Sequence, residues 1–142
     1  MRVVVDTNIL ARAFAAPNGP ARVVLQRLFD GPHVVVQSEA LLVELGRVLR
    51  YPRLQALHQL ADADIDALVD SVRRAAEVVE LDVIPEIVPH DSDDDSVVAT
   101  AVFGEADVLC TLDRHLFAMD VVTYLGANGI QVMRDTELLR QL

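Results

Sequence analysis

Short runs of β-branched residues alternate along this chain with segments of helical periodicity, and that alternation restricts the possible folds more than any other feature. A short apolar run bounded by turn residues is typical of a buried strand. Four such strands are predicted, at Arg2–Val5, Val34–Gln37, Val108–Thr111 and Ile130–Met133. Strands separated by helices form a parallel sheet, so the predicted fold class is α/β, with a central parallel sheet flanked by helices.

The helical segments are predicted from apolar spacing and from residues that cap or break helices. They cover residues 9–14, about 20–29, 39–50, about 60–80 and 93–103, followed by a last short helix. Ser38, Asp62 and Thr136 are the predicted N-caps. Residues 81–92, with two prolines, are predicted to cross irregularly between elements.

Length and composition predict one domain spanning residues 1–142. The 52% hydrophobic content excludes a disordered protein, and the single cysteine, Cys110, excludes a disulfide framework or a multi-cysteine zinc site. No apolar run approaches the roughly 18 residues of a membrane helix. We therefore expect a soluble, cytoplasmic protein that does not interact with a membrane.

The charged residues exclude several kinds of chemistry. All 12 basic residues are arginines, so mechanisms that need a lysine, such as Schiff-base formation or a phosphate-loop lysine, are excluded. The net charge of −10 is opposite to what direct binding of phosphates requires. The same charge is compatible with a cluster of carboxylates that holds divalent cations.

Acidic residues follow two of the predicted strands. Asp6 comes directly after the first strand and Asp113 comes just after the third. Parallel sheets bind ligands beyond the carboxyl ends of their strands, which is where these two side chains are expected. The alternative for Asp6 is that it only caps the helix that follows.

Two further acids are expected near the same edge. Glu44 lies on the apolar stripe of its helix, where a charge is costly without a partner, although pairing with an arginine would also account for it. The run from Asp91 to Asp95 does not match an EF-hand, because Ser96 and Val102 replace the required Gly and Glu. Asp95 directly precedes an apolar helical run, whereas Asp94 remains an open alternative.

Four carboxylates at one edge predict a divalent cation. Two carboxylates about 5 Å apart repel by roughly 3 kcal/mol at an effective dielectric constant near 20. Oxygen ligands suit Mg²⁺ or Mn²⁺, and such a site suits phosphodiester hydrolysis by metal-activated water. Four arginines close in sequence to these acids are candidate contacts to substrate phosphates: Arg12, Arg47, Arg50 and Arg53.

Together these motifs resemble the PIN domain family. They are VVVDTN, a glutamate within an apolar helix, DDDSVVATAV and LCTLDRHL, and the similarity extends over nearly the whole chain. The nearest group is that of the VapC-like toxin ribonucleases. The resemblance implies a Rossmann-like sheet order 3-2-1-4-5, Mg²⁺- or Mn²⁺-dependent cleavage of single-stranded RNA, a homodimer and a cognate antitoxin. Carried over residue by residue, it implies catalytic and metal-binding roles for Asp6, Glu44, Asp95 and Asp113, with Asn8 and Thr111 in support.

Three functions compete at this point. A metal-dependent endoribonuclease, the toxin of a toxin–antitoxin pair, is favoured by the set of four acids. A signalling receiver domain is disfavoured because it uses a lysine beside its phosphorylated aspartate. A catalytically inert protein with the PIN fold, acting as an interaction scaffold, is the remaining alternative.

Overall fold

Five short strands lie side by side in one all-parallel sheet in the computed structural model, which describes residues 1–81 and 92–142, the side chains of residues 92–94 excepted. The strands are β1 (Arg2–Val5), β2 (Val34–Ser38), β3 (Glu77–Val79), β4 (Val108–Cys110) and β5 (Gln131–Met133). Their order in the sheet is β3-β2-β1-β4-β5. The predicted α/β class and the order 3-2-1-4-5 are both confirmed.

Helices connect these strands and cover both faces of the sheet. In the described part they are α1 (Thr7–Ala15), α2 (Pro20–Asp30), α3 (Glu39–Leu49), α4 (Pro52–His58), α5 (Asp62–Ala75), α6 (Ser92–Phe103), α7 (Met119–Ala127) and α8 (Asp135–Leu139), with a 3₁₀-helix at Arg114–Phe117. No helix among the described residues combines the length and apolar character that a membrane crossing requires.

The central strand β1 is buried on both faces, which explains its unbroken valine run. Val3 and Val5 belong to the core under α1, α2, α3 and α8, whereas Val4 belongs to the core under α6 and α7. Successive side chains of a strand point to opposite faces, so three consecutive valines supply both cores. Two layers of helices therefore enclose the sheet, one on each face.

One predicted helix is wrong at its end. The helix expected to run from about 60 to 80 ends at Ala75, and Glu77–Val79 form the edge strand β3. Val36 of β2 pairs with Glu77 in register, and Arg2 makes two hydrogen bonds to the Glu77 carboxylate, at 2.8 and 3.0 Å. Because this strand is short and largely exposed, it carries no alternation that would mark it in the sequence.

Two predicted caps and several helix boundaries also differ. Ala61 is the N-cap of α5 and Asp62 is its first residue, and Arg134 rather than Thr136 is the N-cap of α8. The helix α8 begins at Asp135, earlier than a Thr136 N-cap predicts, and the Asp135 carboxylate accepts the Thr136 N–H at 2.8 Å. The helices α4 and α7 were not predicted. The irregular crossing predicted for residues 81–92 lies, for residues 82–91, outside the described residues.

Candidate active site

A row of polar residues lies one position beyond the central strands, at the carboxyl edge of the sheet. Val5, Cys110 and Met133 are paired across β1, β4 and β5. The hydrogen-bonded ladder continues past them, with Asp6 N donating to the Cys110 carbonyl and Thr111 N to the Met133 carbonyl, both at 2.9 Å. Asp6 and Thr111 are therefore direct neighbours at this edge.

Asp6 is held by hydrogen bonds to both carboxylate oxygens. Thr7 N donates to Oδ1 at 2.7 Å, and the Thr111 hydroxyl donates to Oδ2 at 2.6 Å. Asp6 as a whole residue is only 5% exposed. Asp6 is also the N-cap of α1, so the two interpretations of this residue from the sequence, edge acid and helix cap, both hold.

Glu44 faces the same edge from α3. The Thr7 hydroxyl donates to Glu44 Oε2 at 3.3 Å, which brings Glu44 and Asp6 to the two sides of one threonine. Arg47 Nη2 lies 3.7 Å from Glu44 Oε1, and the Glu44 side chain is 20% exposed. Pairing with an arginine, the alternative considered from the sequence, is therefore present together with the position at the edge.

Asp113 is joined to the row through its backbone. Its N–H donates to the Thr111 hydroxyl oxygen at 3.0 Å, and its Oδ1 accepts the His115 N–H at 2.9 Å, which caps the 3₁₀-helix. A continuous chain of hydrogen bonds thus joins Asp113, Thr111, Asp6, Thr7 and Glu44. Three of the four predicted acids are connected by two threonines, Thr111 through its hydroxyl and Thr7 through its backbone N–H and its hydroxyl.

Asp95 lies near the start of α6 and is 6% exposed. Ser38, at the end of β2, lies 2.8 Å from the Thr100 hydroxyl, which donates to the Ser96 carbonyl at 2.7 Å. Since Thr100 gives its proton to Ser96, the Ser38 hydroxyl must donate to Thr100. This link joins the carboxyl end of β2 to Thr100, in the second half of α6. The side chain of Asp94, the alternative to Asp95, lies outside the described residues.

The other three predicted arginines divide between two places, whereas Arg47 lies beside Glu44. Arg12 and Arg53 line one groove of about 540 Å³ between α1 and α4, together with Asn8. Arg50 instead binds within the protein, donating to the Gly46 carbonyl at 3.0 Å, Asp66 at 2.8 Å and Asp62 at 3.2 Å. The hydrogen bond to Asp66 is the main reason that the pKa of Arg50 is raised.

A buried acid at the end of β5 was missed by the sequence interpretation. Asp135 is 3% exposed, and among the described residues its Oδ2 has no hydrogen-bond partner. Burial, together with the smaller effects of the charges of Asp135 and then Asp6, raises the pKa of Cys110 to about 12. Asp135 follows a strand run just as Asp6 and Asp113 do, so the strand-end rule could have found it.

The donor chemistry of this edge fits a hard divalent cation. Asp6, Glu44 and Asp113 at this edge, and Asp95 near the start of α6, offer only carboxylate oxygens, the ligand type of Mg²⁺ and Mn²⁺. Within residues 1–81 and 92–142, leaving aside the side chains of 92–94, no three His, Cys, Asp or Glu side chains form a group that could hold a metal ion. Mg²⁺ usually takes only one or two protein carboxylates and keeps several waters, so a looser arrangement is compatible with it.

Comparison with known proteins agrees with this architecture. One chain in the crystal structure of VapBC2 from Rickettsia felis, bound to a DNA fragment from their promoter, superimposes with a TM-score of 0.63. The two chains are 13% identical, and the match covers 94% of this chain and 98% of that one. No curated protein sequence matches this chain. The family model described as the PIN domain matches residues 2–115. The resemblance inferred from the sequence motifs is therefore confirmed, and the chain belongs to the PIN domain family.

Proposed function

We propose that this protein is a Mg²⁺- or Mn²⁺-dependent endoribonuclease that cleaves single-stranded RNA and acts as the toxin of a VapC-like toxin–antitoxin pair. PIN domains are generally nucleases that use divalent metals, which supports the reaction class. The observation that carries the proposal is the hydrogen-bonded chain that joins Asp113, Asp6 and Glu44 through Thr111 and Thr7. Residues 1–142 act as one domain in this proposal, and the site of action is the cytoplasm.

Asp6, Glu44, Asp95 and Asp113 would hold the cation. When bound, Mg²⁺ or Mn²⁺ would supply a Lewis acid that lowers the pKa of an attacking water and neutralises charge on the scissile phosphate. Thr111 keeps the Asp6 carboxylate in one orientation, because its hydroxyl proton is committed to Oδ2. Outer hydrogen bonds of this kind orient metal-binding carboxylates.

Substrate binding is assigned to arginines around this edge. Arg12 and Arg53 share the groove with Asn8, two positions after Asp6, and would contact phosphates of the bound strand. Arg47 sits beside Glu44 and would lie close to the scissile phosphate. Arg50 is proposed as a phosphate contact on its position in the sequence only, since its donors bind Gly46, Asp62 and Asp66.

A cognate antitoxin and a homodimer complete the proposal. The similar chain from Rickettsia felis belongs to VapBC2, which was crystallised bound to promoter DNA, and this supports an antitoxin partner here. The likeness to that chain is one of fold, at 13% identity. Size-exclusion chromatography with light scattering tests the dimer.

A cleavage assay tests the function. Wild type is incubated with fluorescently labelled single-stranded RNA of mixed sequence, with Mg²⁺, with Mn²⁺ or with EDTA. We expect cleavage only with metal, and a loss of about 100-fold or more in Asp6→Asn and Asp95→Asn, because metal-ion stabilisation contributes several kcal/mol. Asp30→Asn, which removes the same charge at an exposed site at the end of α2, should cleave like wild type.

The same variants separate the enzyme from an inert scaffold. If folded wild type leaves the RNA intact with either metal, the scaffold interpretation replaces the nuclease. A fully active Asp95→Asn would remove Asp95 from the site and return the assignment to Asp94. Growth arrest on expression of wild type, relieved by Asp6→Asn, would support the toxin role.

A further inference from the structure

Arg134 extends the polar row at the carboxyl edge by one strand. Met133 pairs with Cys110, and the Thr111 N–H donates to the Met133 carbonyl at 2.9 Å, so Arg134 is the neighbour of Thr111 as Thr111 is of Asp6. Side chains at the same level of paired strands point to the same face. Arg134 therefore stands beside the threonine that binds Asp6.

The guanidinium of Arg134 is held in place by an aromatic ring. Its Cζ lies 4.7 Å from the centroid of Phe117, the last residue of the 3₁₀-helix that begins after Asp113. Stacking on a ring fixes the plane of a guanidinium, while its N–H groups remain available at the edges. The arginine is thus oriented without using its hydrogen-bond donors.

No carboxylate within 4.0 Å neutralises Arg134 in the part of the chain that the structure describes. Ion pairs there involve Arg2, Arg47, Arg50 and Arg73 instead. An exposed arginine held on a ring at an acidic edge, in a chain of net charge −10, is suited to bind an anion.

We propose that Arg134, oriented by Phe117, binds a backbone phosphate of the single-stranded RNA substrate. The inference rests on the proposed nuclease function and adds a residue to it. Two strand spacings separate Arg134 from Asp6, about 10 Å. At that distance Arg134 contacts a phosphate neighbouring the one that is cleaved, so it contributes to RNA affinity more than to the chemical step.

The test measures RNA affinity in a background that does not cleave. In Asp6→Asn protein with Mg²⁺, the Kd for a fluorescein-labelled single-stranded RNA is measured over a range of salt concentrations. Arg134→Gln and Arg134→Lys are compared with Arg74→Gln, which removes the same charge from the end of α5, near the amino end of the edge strand β3. Thermal unfolding of each variant is recorded in parallel.

We expect Arg134→Gln to raise Kd about tenfold, as for one hydrogen-bonded charge. The slope of log Kd against log salt should fall by about 0.7, the value for one phosphate contact on a single strand. Arg134→Lys should keep the slope but bind more weakly than arginine, because it lacks the planar fork. Arg74→Gln should leave both Kd and slope unchanged.

Three results would overturn the proposal. A lower unfolding temperature of Arg134→Gln with unchanged Kd and slope would mean that the cation–π contact is only structural. An equal fall in slope for Arg74→Gln would mean that RNA affinity depends on the net charge of the protein and not on Arg134 itself. Absence of RNA binding by the Asp6→Asn background and of RNA cleavage by wild type would overturn both this inference and the nuclease function, whereas either of the first two results would overturn this inference alone.

Discussion

The Thr111 hydroxyl donates to Asp6 Oδ2 at 2.6 Å and accepts the Asp113 N–H at 3.0 Å. One buried side chain therefore fixes the carboxylate that follows β1 and the turn that follows β4. The hydroxyl has a single proton. Because the Asp113 N–H is the donor in the second hydrogen bond, that proton remains available for Asp6. Thr111 is the residue on which the mutual position of two candidate metal ligands depends.

Replacing Thr111 by valine should lower activity while preserving the fold. The change keeps the side-chain shape but removes the donor to Asp6, which should cost about 1.5–3 kcal/mol of the free energy of unfolding. Metal-dependent RNA cleavage should fall about 10- to 100-fold, as for other residues that orient metal ligands. The measurements are cleavage kinetics and thermal unfolding.

The control for this variant is Thr123→Val, which makes the same change at an exposed position of α7. It should leave both cleavage and stability close to wild type. Full activity of Thr111→Val would show that Asp6 is oriented without this hydrogen bond.

Divalent metal should stabilise the folded protein. At a metal concentration 100 times its Kd, binding adds about 2.7 kcal/mol to the free energy of unfolding. Thermal unfolding of wild type with Mn²⁺ or Mg²⁺ should therefore shift upward, and Asp95→Asn should lose most of this shift. Asp30→Asn serves as the charge-matched control. A shift retained in full by Asp95→Asn would place the bound metal elsewhere.

Gly104 should not tolerate a side chain. A Cβ at this position would lie 2.8 Å from the Thr100 carbonyl and would overlap the side chain of Val36. Gly104→Ala should lower the free energy of unfolding by about 1–3 kcal/mol, the usual cost of overpacking. Chemical denaturation measures this loss.

Gly126 provides the matched comparison for the same substitution. It lies within α7, and a Cβ there would meet nothing within 4 Å. Gly126→Ala should stabilise the protein by about 0.5–1 kcal/mol through helix propensity. Equal effects of the two alanines would contradict the close contact between Gly104 and Val36.

Cys110 should make stability fall at alkaline pH. Burial, with the charges of Asp135 and Asp6, raises the thiol pKa from an ordinary value of 9.0 to about 12. Between these values the unfolded chain binds fewer protons than the folded protein, so the free energy of unfolding decreases as pH rises, by up to roughly 1.4 kcal/mol per pH unit. Below pH 9 this contribution is constant.

Denaturant titrations between pH 8 and pH 11 would measure this alkaline dependence. The chain has no lysine, so no lysine side chain contributes to the dependence in this interval. Cys110→Ala should be less stable at neutral pH but should show a flatter alkaline dependence. An unchanged alkaline dependence in Cys110→Ala would show that the Cys110 thiol does not cause it.

Much of the fold was predictable because buried strands are short apolar runs that can be recognised in the local sequence. The valine runs of β1 and β2 gave both strands, and the helical segments that separate the strands gave their parallel arrangement. β3 was not predictable, because Glu77 and Val78 are exposed and pairing with β2 overrides the local helical pattern. The positions of Asp6 and Asp113 after strands were predictable for the same reason as the strands themselves.

Contacts between residues that are distant in the chain could not be predicted from the sequence. Arg50 and Arg53 are equivalent as candidate phosphate contacts in sequence, yet one binds Asp62 and Asp66 while the other lines a groove with Asn8. Which face of a short helix meets a neighbouring helix depends on packing, and residue types alone do not specify that packing.

The sequence by itself determined the α/β class, the PIN motifs and the four acids proposed for the site, because strand patterns and strand-end residues are local. Only the tertiary structure decided that Thr111 and Thr7 connect Asp113, Asp6 and Glu44, and that Arg134 stacks on Phe117 beside them. Hydrogen bonds and stacking act over a few ångströms, and residues far apart in the chain reach such distances only after the sheet has aligned its strand ends.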